Sequence, residues 1–293
     1  MGQLRRPILD YASIALTCRS LNRAATTMMY RDYNHCYDHN PSTRFISSLI
    51  TNPALGSLVK EMKEVGHEGY NVTRSSYLMK PRARSFQSIQ MIYSKIETLD
   101  IPEGEEYTAL VRKGEDAFSA LESALILYLT SNIEVVALND CPEAGVEQRS
   151  QEIILPETSH DQRQPQAALL PIICAGRGIS YGRVHQFTRL RRLSIQMKGL
   201  CINFLSHILQ LDSPLEVILS RHYYHSSSIN DPPCTWECPP KTSKVQKIRL
   251  DYFECHLELL ENMLGSCQAL TSLACDGIHE APLVPRWLAI WRL

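Results

Sequence analysis

Short segments with apolar residues at positions i, i+3 and i+5 recur along the chain. The clear copies are Ile96, Leu99 and Ile101; Ile133, Val136 and Leu138; Leu190, Leu193 and Ile195; Val245, Ile248 and Leu250; and Leu270, Leu273 and Cys275. A weaker copy runs from Leu215 through Ile218 to Ser220, and the weakest from Val59 through Met62, where Glu64 takes the last apolar place. Each reads as a short strand with one buried face. A single match of this kind carries little, because chance supplies several in a long chain. What lies between the copies gives them weight.

Helical stripes precede most of them. Phe86, Ile89, Tyr93 and Ile96 step by helical intervals, as do Phe118, Leu121, Leu125 and Tyr128. Cys201, Leu205 and Ile208 precede the copy at Leu215, and Leu257, Leu260 and Leu264 precede the copy at Leu270. These spacings put one apolar stripe on each helix. Late in the chain the copies start about 25, 30 and 25 residues apart, around the period of leucine-rich repeats. A strand-plus-helix unit of that size cannot bury its apolar face alone, so neighbours stack. The expected fold is therefore α/β: an irregular leucine-rich-repeat solenoid with parallel strands on one face and helices on the other. Earlier intervals are longer, and polar insertions near 102–116 and 142–168 account for them; a third insertion lies near 221–244. The second is rich in glutamine and proline with little periodicity, and reads as a mobile loop.

Near the start, Ile14, Cys18, Leu21, Ala25 and Met28 step by 4, 3, 4 and 3. The spacing predicts one amphipathic helix of about four turns. Residues 1–34 thus form a helical segment that caps the array, and residues 41–293 form the repeat domain with its insertions.

Composition narrows the function classes. The 293 residues are 44% hydrophobic, enough for a sizeable core, and the formal net charge is −1. That balance gives no overall footprint for nucleic acid, and basic runs such as Arg189 to Arg192 read as solvated faces. No stretch approaches the roughly 18 apolar residues of a membrane span. Residues 1–16 hold Arg5, Arg6 and Asp10 and no continuous apolar run, so no signal peptide is expected. A cytoplasmic or nuclear setting follows, and it makes the ten cysteines free thiols that act as small buried hydrophobes. The sequon at Asn71 to Thr73 has meaning only in a secreted protein.

Few residues suggest chemistry. His222 and His225, followed by Cys234 and Cys238, have the ligand types of a tetrahedral zinc site. Their spacing is unusual for one, and a loop with incidental histidines and thiols is the simpler reading. Gly176-Arg177-Gly178 sits in a turn outside any strand-turn-helix nucleotide fingerprint. Asp251, Glu254, Cys255 and His256 lie close together, but without a nucleophile elbow or a paired base. The expectation is no enzyme, no cofactor and no metal.

The opening residues resemble a family. DYASIALTCRSLNR, from Asp10 to Arg23, is similar to the second half of an F-box, where an Asp-Leu pair leads into a Leu-x-Leu-x-Cys-Arg helix. Met28 to Tyr33 resembles the exit frequent in fungal F-box proteins. The stretch from Arg44 to Val59 resembles their next helix and first strand. Residues 1–9 are too short for the Leu-Pro segment and first helix of the family, so the motif is read as N-terminally truncated. The resemblance implies a substrate receptor of a Skp–cullin–F-box ubiquitin ligase. Its adaptor contacts by motif position would be Tyr11, Ile14, Leu16, Cys18, Leu21 and Asn22, with a Skp-type adaptor and an unknown protein substrate as partners. A repeat scaffold with no ligase role, its incomplete F-box serving only as a cap, is the other reading.

Overall fold

The structure, a computed structural model, describes residues 11, 13–35, 42–64, 86–98, 115–139, 167–179, 186–196, 202–220, 236–251 and 257–276. In chain order the elements are α1 (Arg19–Arg31), β1 (Asp32–His35), α2 (Ser42–Thr51), a 3-10 helix (Pro53–Leu58), β2 (Glu61–Glu64), α3 (Phe86–Thr98) and α4 (Glu115–Leu129). There follow β3 (Val135–Asn139), a 3-10 turn (Ala167–Leu169), α5 (Leu170–Gly176), β4 (Arg192–Gln196) and α6 (Ile202–Leu209). The last are β5 (Glu216–Ser220), β6 (Lys247–Asp251), α7 (Leu257–Ser266) and β7 (Ser272–Asp276).

All seven strands lie in one sheet, and their order in the sheet is their order in the chain. Each neighbouring pair is parallel. A parallel neighbour cannot be reached by a tight hairpin, so each connection must return to the starting edge. Helices α2, α6 and α7 make that return between β1 and β2, β4 and β5, and β6 and β7. Repeating the same step gives a solenoid-like α/β array.

The register aligns one residue of every strand into a row: Tyr33, Met62, Val136, Leu193, Val217, Ile248 and Leu273. The first six are buried. A second row, Leu138, Ile195, Leu219, Leu250 and Cys275, lies two residues further along, and its first four are buried. Burying a side chain of this size contributes about 1.5–3 kcal/mol, so these rows are the spine of the core. Beneath them pack Ile46 of α2, Ile92 and Ile96 of α3, Leu125 to Leu127 of α4, and Ile172 and Ile173 of α5. Leu205 and Ile208 of α6 and Leu260 and Met263 of α7 continue the layer.

Alternate residues face the other way and stay accessible, as in the patterns of β4, β5 and β6. Among the described residues no helix covers that face. All-parallel sheets normally have both faces covered; one covered and one open face is the arrangement of a stacked repeat.

Backbone hydrogen bonds continue the ladder before each strand. The carbonyls of Arg31, Lys60, Glu134, Arg191, Leu215 and Gln246 each accept a bond from the next layer, at 2.7–3.1 Å. Two glycines set how closely helical layers approach. A Cβ on Gly56 would sit 2.0 Å from the Leu129 carbonyl oxygen, and one on Gly176 would sit 1.9 Å from that of His207. Only a residue without a side chain fits either place.

Several sequence expectations change. The copy beginning at Ile96 adds no strand between its neighbours: Ile96 is buried in α3, and β2 pairs directly with β3. Leu99 and Ile101 lie outside the described residues. The weakest copy is a real strand, since Glu64 ends β2 while Met62 keeps its place in the buried row. The sheet also starts earlier than expected, at Asp32, where the pattern suggested only an exit from a helix. Gly176-Arg177-Gly178 closes helix α5, with Gly178 at φ 68°, well before β4. The insertion at 142–168 lies outside the described residues apart from Ala167 and Ala168. The one at 102–116 does too, apart from the first residues of α4. The third, 221–244, is described only from Trp236, and that part packs into the array. Trp236 Nε1 donates to Ser266 Oγ at 2.8 Å, and Ser243 pairs with Cys267.

Candidate protein-interaction surfaces

The N-terminal segment is two helical pieces, not one. Ser13 to Ala15 are helical, Leu16 and Thr17 form a turn, and Cys18 is extended at φ −157° and ψ 165° before α1 begins. Side chains cause the break. In a continuous helix the Ile14 and Ala15 carbonyls would accept from Cys18 and Arg19. Instead the Ile14 carbonyl accepts from Thr17 Oγ1 at 2.7 Å and from the Thr17 amide at 3.1 Å. The Ala15 carbonyl accepts from Asn22 Nδ2 at 2.9 Å. Threonine and asparagine compete for helical carbonyls in this way, and a periodicity count does not register it.

The break changes what the apolar stripe does. Leu16 is 88% exposed, Ile14 39%, and Leu21 and Met28 46% each; of the expected stripe only Ala25 is buried. Cys18 is exposed too, contrary to the reading of the cysteines as buried hydrophobes. Tyr11 is half-buried, and Asn22 is exposed with its amide held by the turn. All residues from Cys18 to Ala24 are exposed, so α1 is held to the array by its last turns. There Tyr30 stacks on Phe45 with ring centroids 5.6 Å apart, and just beyond the helix Tyr33 of β1 stacks on the same ring at 4.3 Å.

The second surface is the open face of the sheet. Its first row is Asp32, Glu61, Val135, Arg192, Glu216, Lys247 and Ser272. Its second is Asn34, Lys63, Ala137, Ser194, Ile218, Arg249 and Ala274. Across the middle the side chains are small or apolar, as at Ala137, Ser194 and Ile218. Around that strip lie ion pairs within and between strands. Arg192 meets Glu216 at 2.6 Å, Lys63 meets Glu61 at 2.5 Å, and Arg249 meets Asp251 and Asp276 at 2.8 and 3.0 Å. At the strand entries Lys60 meets Glu134 at 3.1 Å. The Lys60 hydrogen bond holds the Glu134 carboxyl below its ordinary value, with Arg191 and Arg189 acting the same way and partial burial opposing.

Of the residues considered for zinc, His222, His225 and Cys234 lie outside the described residues. Cys238 is buried, its sulfur 3.6 Å from Thr242 Oγ1 and 3.9 Å from the Pro239 carbonyl oxygen. Among the described residues no three histidines, cysteines or carboxylates converge as a metal site, and no helix is long and apolar enough to cross a membrane. The sequence patterns passed over the open-face rows, because a strand's outward residues become one surface only once register is known. Comparisons with protein-family models, with curated proteins and with solved structures return no match.

Proposed function

We propose that the chain is a non-catalytic interaction protein of the F-box and leucine-rich-repeat type, the substrate receptor of a Skp–cullin–F-box ubiquitin ligase in the cytoplasm or nucleus. In this reading the N-terminal helices hold a Skp-type adaptor and the open sheet face holds the protein to be modified. The chemistry belongs to other subunits, and this chain contributes position.

One observation carries the reading: Ile14, Leu16, Leu21 and Met28 stand exposed on a short helical segment anchored at one end of a parallel array. A 13-residue helix is marginal in water without tertiary packing. Large exposed apolar side chains gathered on such an element suit a partner that buries them. The contacts implied by motif position, Tyr11, Ile14, Leu16, Cys18, Leu21 and Asn22, fall on this segment.

Co-purification with a Skp-type adaptor tests it. The full chain should capture adaptor, and the double variant Leu16→Glu, Leu21→Glu should lose capture while keeping the wild-type circular dichroism. An adaptor that binds neither this chain nor a version extended by a family-type first helix would leave a repeat scaffold with no ligase role.

A further inference from the structure

Cations are concentrated at the strand entries in the middle of the sheet. Arg189 lies in the turn before β4, Arg191 sits beside Glu134 in the entry ladder, and Arg192 opens β4. Lys60 enters β2 on one side and Lys247 opens β6 on the other. Arg189, Arg191, Arg192 and Lys247 are all exposed. Against these five cations stand two carboxylates, Glu134 and Glu216, each already in an ion pair. The next carboxylates outward, Glu61 and Asp212, are held by Lys63 and Lys244. Arg189, Arg191 and Lys247 make no ion pair among the described residues. A local excess of three positive charges thus sits on a chain whose formal net charge is −1.

Exposed like charges repel one another and keep their hydration. The core does not need them, since the buried rows are complete without them. An opposite potential presented by a partner removes the repulsion and steers association. From Lys60 to Lys247 the patch crosses four strand spacings, about 19 Å at 4.8 Å each, which an extended peptide of about six residues spans. The small side chains at Ala137 and Ser194 leave room beside it for such a backbone, and Ile218 adds an apolar contact.

We propose that the strand-entry rim centred on Arg189, Arg191, Arg192 and Lys247 seats a carboxylate-rich, extended segment of the target protein. This rests on the reading of the open sheet face as the target surface, and it adds the chemical class of target.

The probe is a fluorescein-labelled octapeptide of alternating glutamate and serine, read by anisotropy with the full chain at 50 and 300 mM salt. Binding should weaken sharply at the higher salt. Arg189→Glu with Arg191→Glu should weaken it at least about tenfold, and Lys247→Glu should act in the same direction. Neutral Arg189→Gln with Arg191→Gln, tested in parallel, guards against a folding defect. Arg44→Glu, on helix α2, should change nothing. Three outcomes overturn the proposal: no binding to the wild type, a rim variant that binds as tightly as Arg44→Glu, or selection of a phosphoserine peptide or an oligonucleotide over the glutamate peptide. Adaptor capture on the same preparations separates the two ideas. Capture without peptide binding sinks the rim proposal alone, and peptide binding without capture sinks only the ligase reading.

Discussion

Arg177 donates its Nε hydrogen to His207 Nε2 across 3.1 Å, so the buried imidazole must be neutral on that nitrogen. Arg177 follows helix α5 and His207 lies on α6, so the bond ties two successive layers. Burial pushes the His207 pKa down, the Arg177 charge pushes it further the same way, and Glu237, 3.7 Å from Nε2, pulls it back only in part. The proton on the other nitrogen, Nδ1, has no partner among the described residues. Because the folded-state pKa lies below the ordinary 6.5, the unfolded chain binds the proton more readily as pH falls. The neutral histidine's contribution is therefore complete above about pH 6.5 and is lost as pH drops through the lower folded value. Urea midpoints taken from pH 7.5 to 5 should fall, and His207→Gln, which keeps an acceptor and removes the titration, should flatten that part of the profile.

Gly56 and Gly176 should not tolerate a methyl group. Each added Cβ would meet a backbone carbonyl oxygen, at 2.0 and 1.9 Å, and backbone cannot rotate away as a side chain tip can. Alanine at either place should cost about 1–3 kcal/mol or more in chemical denaturation. Gly265, inside α7 with nothing within 4 Å of its added Cβ, is the internal contrast. There alanine should stabilise by up to about 1 kcal/mol through helix propensity. Equal effects at Gly176 and Gly265 would contradict the close approach of α5 and α6.

Met62→Ala tests whether the weakest strand truly belongs to the core. Met62 is fully buried between Tyr33 and Val136 in the inner row, so its truncation should cost about 2–5 kcal/mol. Leu16→Glu, at a site 88% exposed, should change stability by no more than about 0.5 kcal/mol. A large loss from Leu16→Glu would mean that the N-terminal segment is packed.

Thiol reactivity should sort the cysteines by place. Cys18 is exposed, while Cys174 and Cys238 are buried. Burial, aided by the nearby Cys238, pushes the Cys267 thiol up to about 11, which leaves little thiolate at pH 8. Among the five cysteines of the described residues, pulsed alkylation of the native chain followed by mass mapping should label Cys18 first. Labelling of Cys238 or Cys267 should wait for unfolding.

Strands β3, β4, β6 and β7 were legible because each carries its own local pattern; at β5 the copy Leu215, Ile218 and Ser220 was one residue out of phase, since Val217 and Leu219 fill the buried rows while Leu215 is exposed and Ile218 lies on the open face. Leu190, Leu193 and Ile195 mark buried positions whatever their neighbours do, and the stripe at Leu205 and Ile208 marks the returning helix. The same pattern misled at Ile96, where an i+3 step is as much a helical interval as a strand entry. It undervalued Met62, where the partner strands and not the segment itself supply the apolar surroundings. At β1 the sequence Asp-Tyr-Asn-His offers one apolar residue, the buried Tyr33, too little signal to mark a strand without β2 beside it.

By itself the sequence determined the α/β class, the period of the units and the apolar inventory of the layers, because these follow from spacing along one chain. Tertiary structure decided that Tyr33 through Leu273 form one continuous row, since register is a relation between strands and no single strand contains it. It decided that the apolar residues of the opening segment face outward, because Thr17 and Asn22 spend their hydrogen bonds on two carbonyls and break the helix there. It also brought Lys60, Arg191 and Lys247, far apart in the chain, onto one rim, where their shared potential exists only through the stacking of the layers.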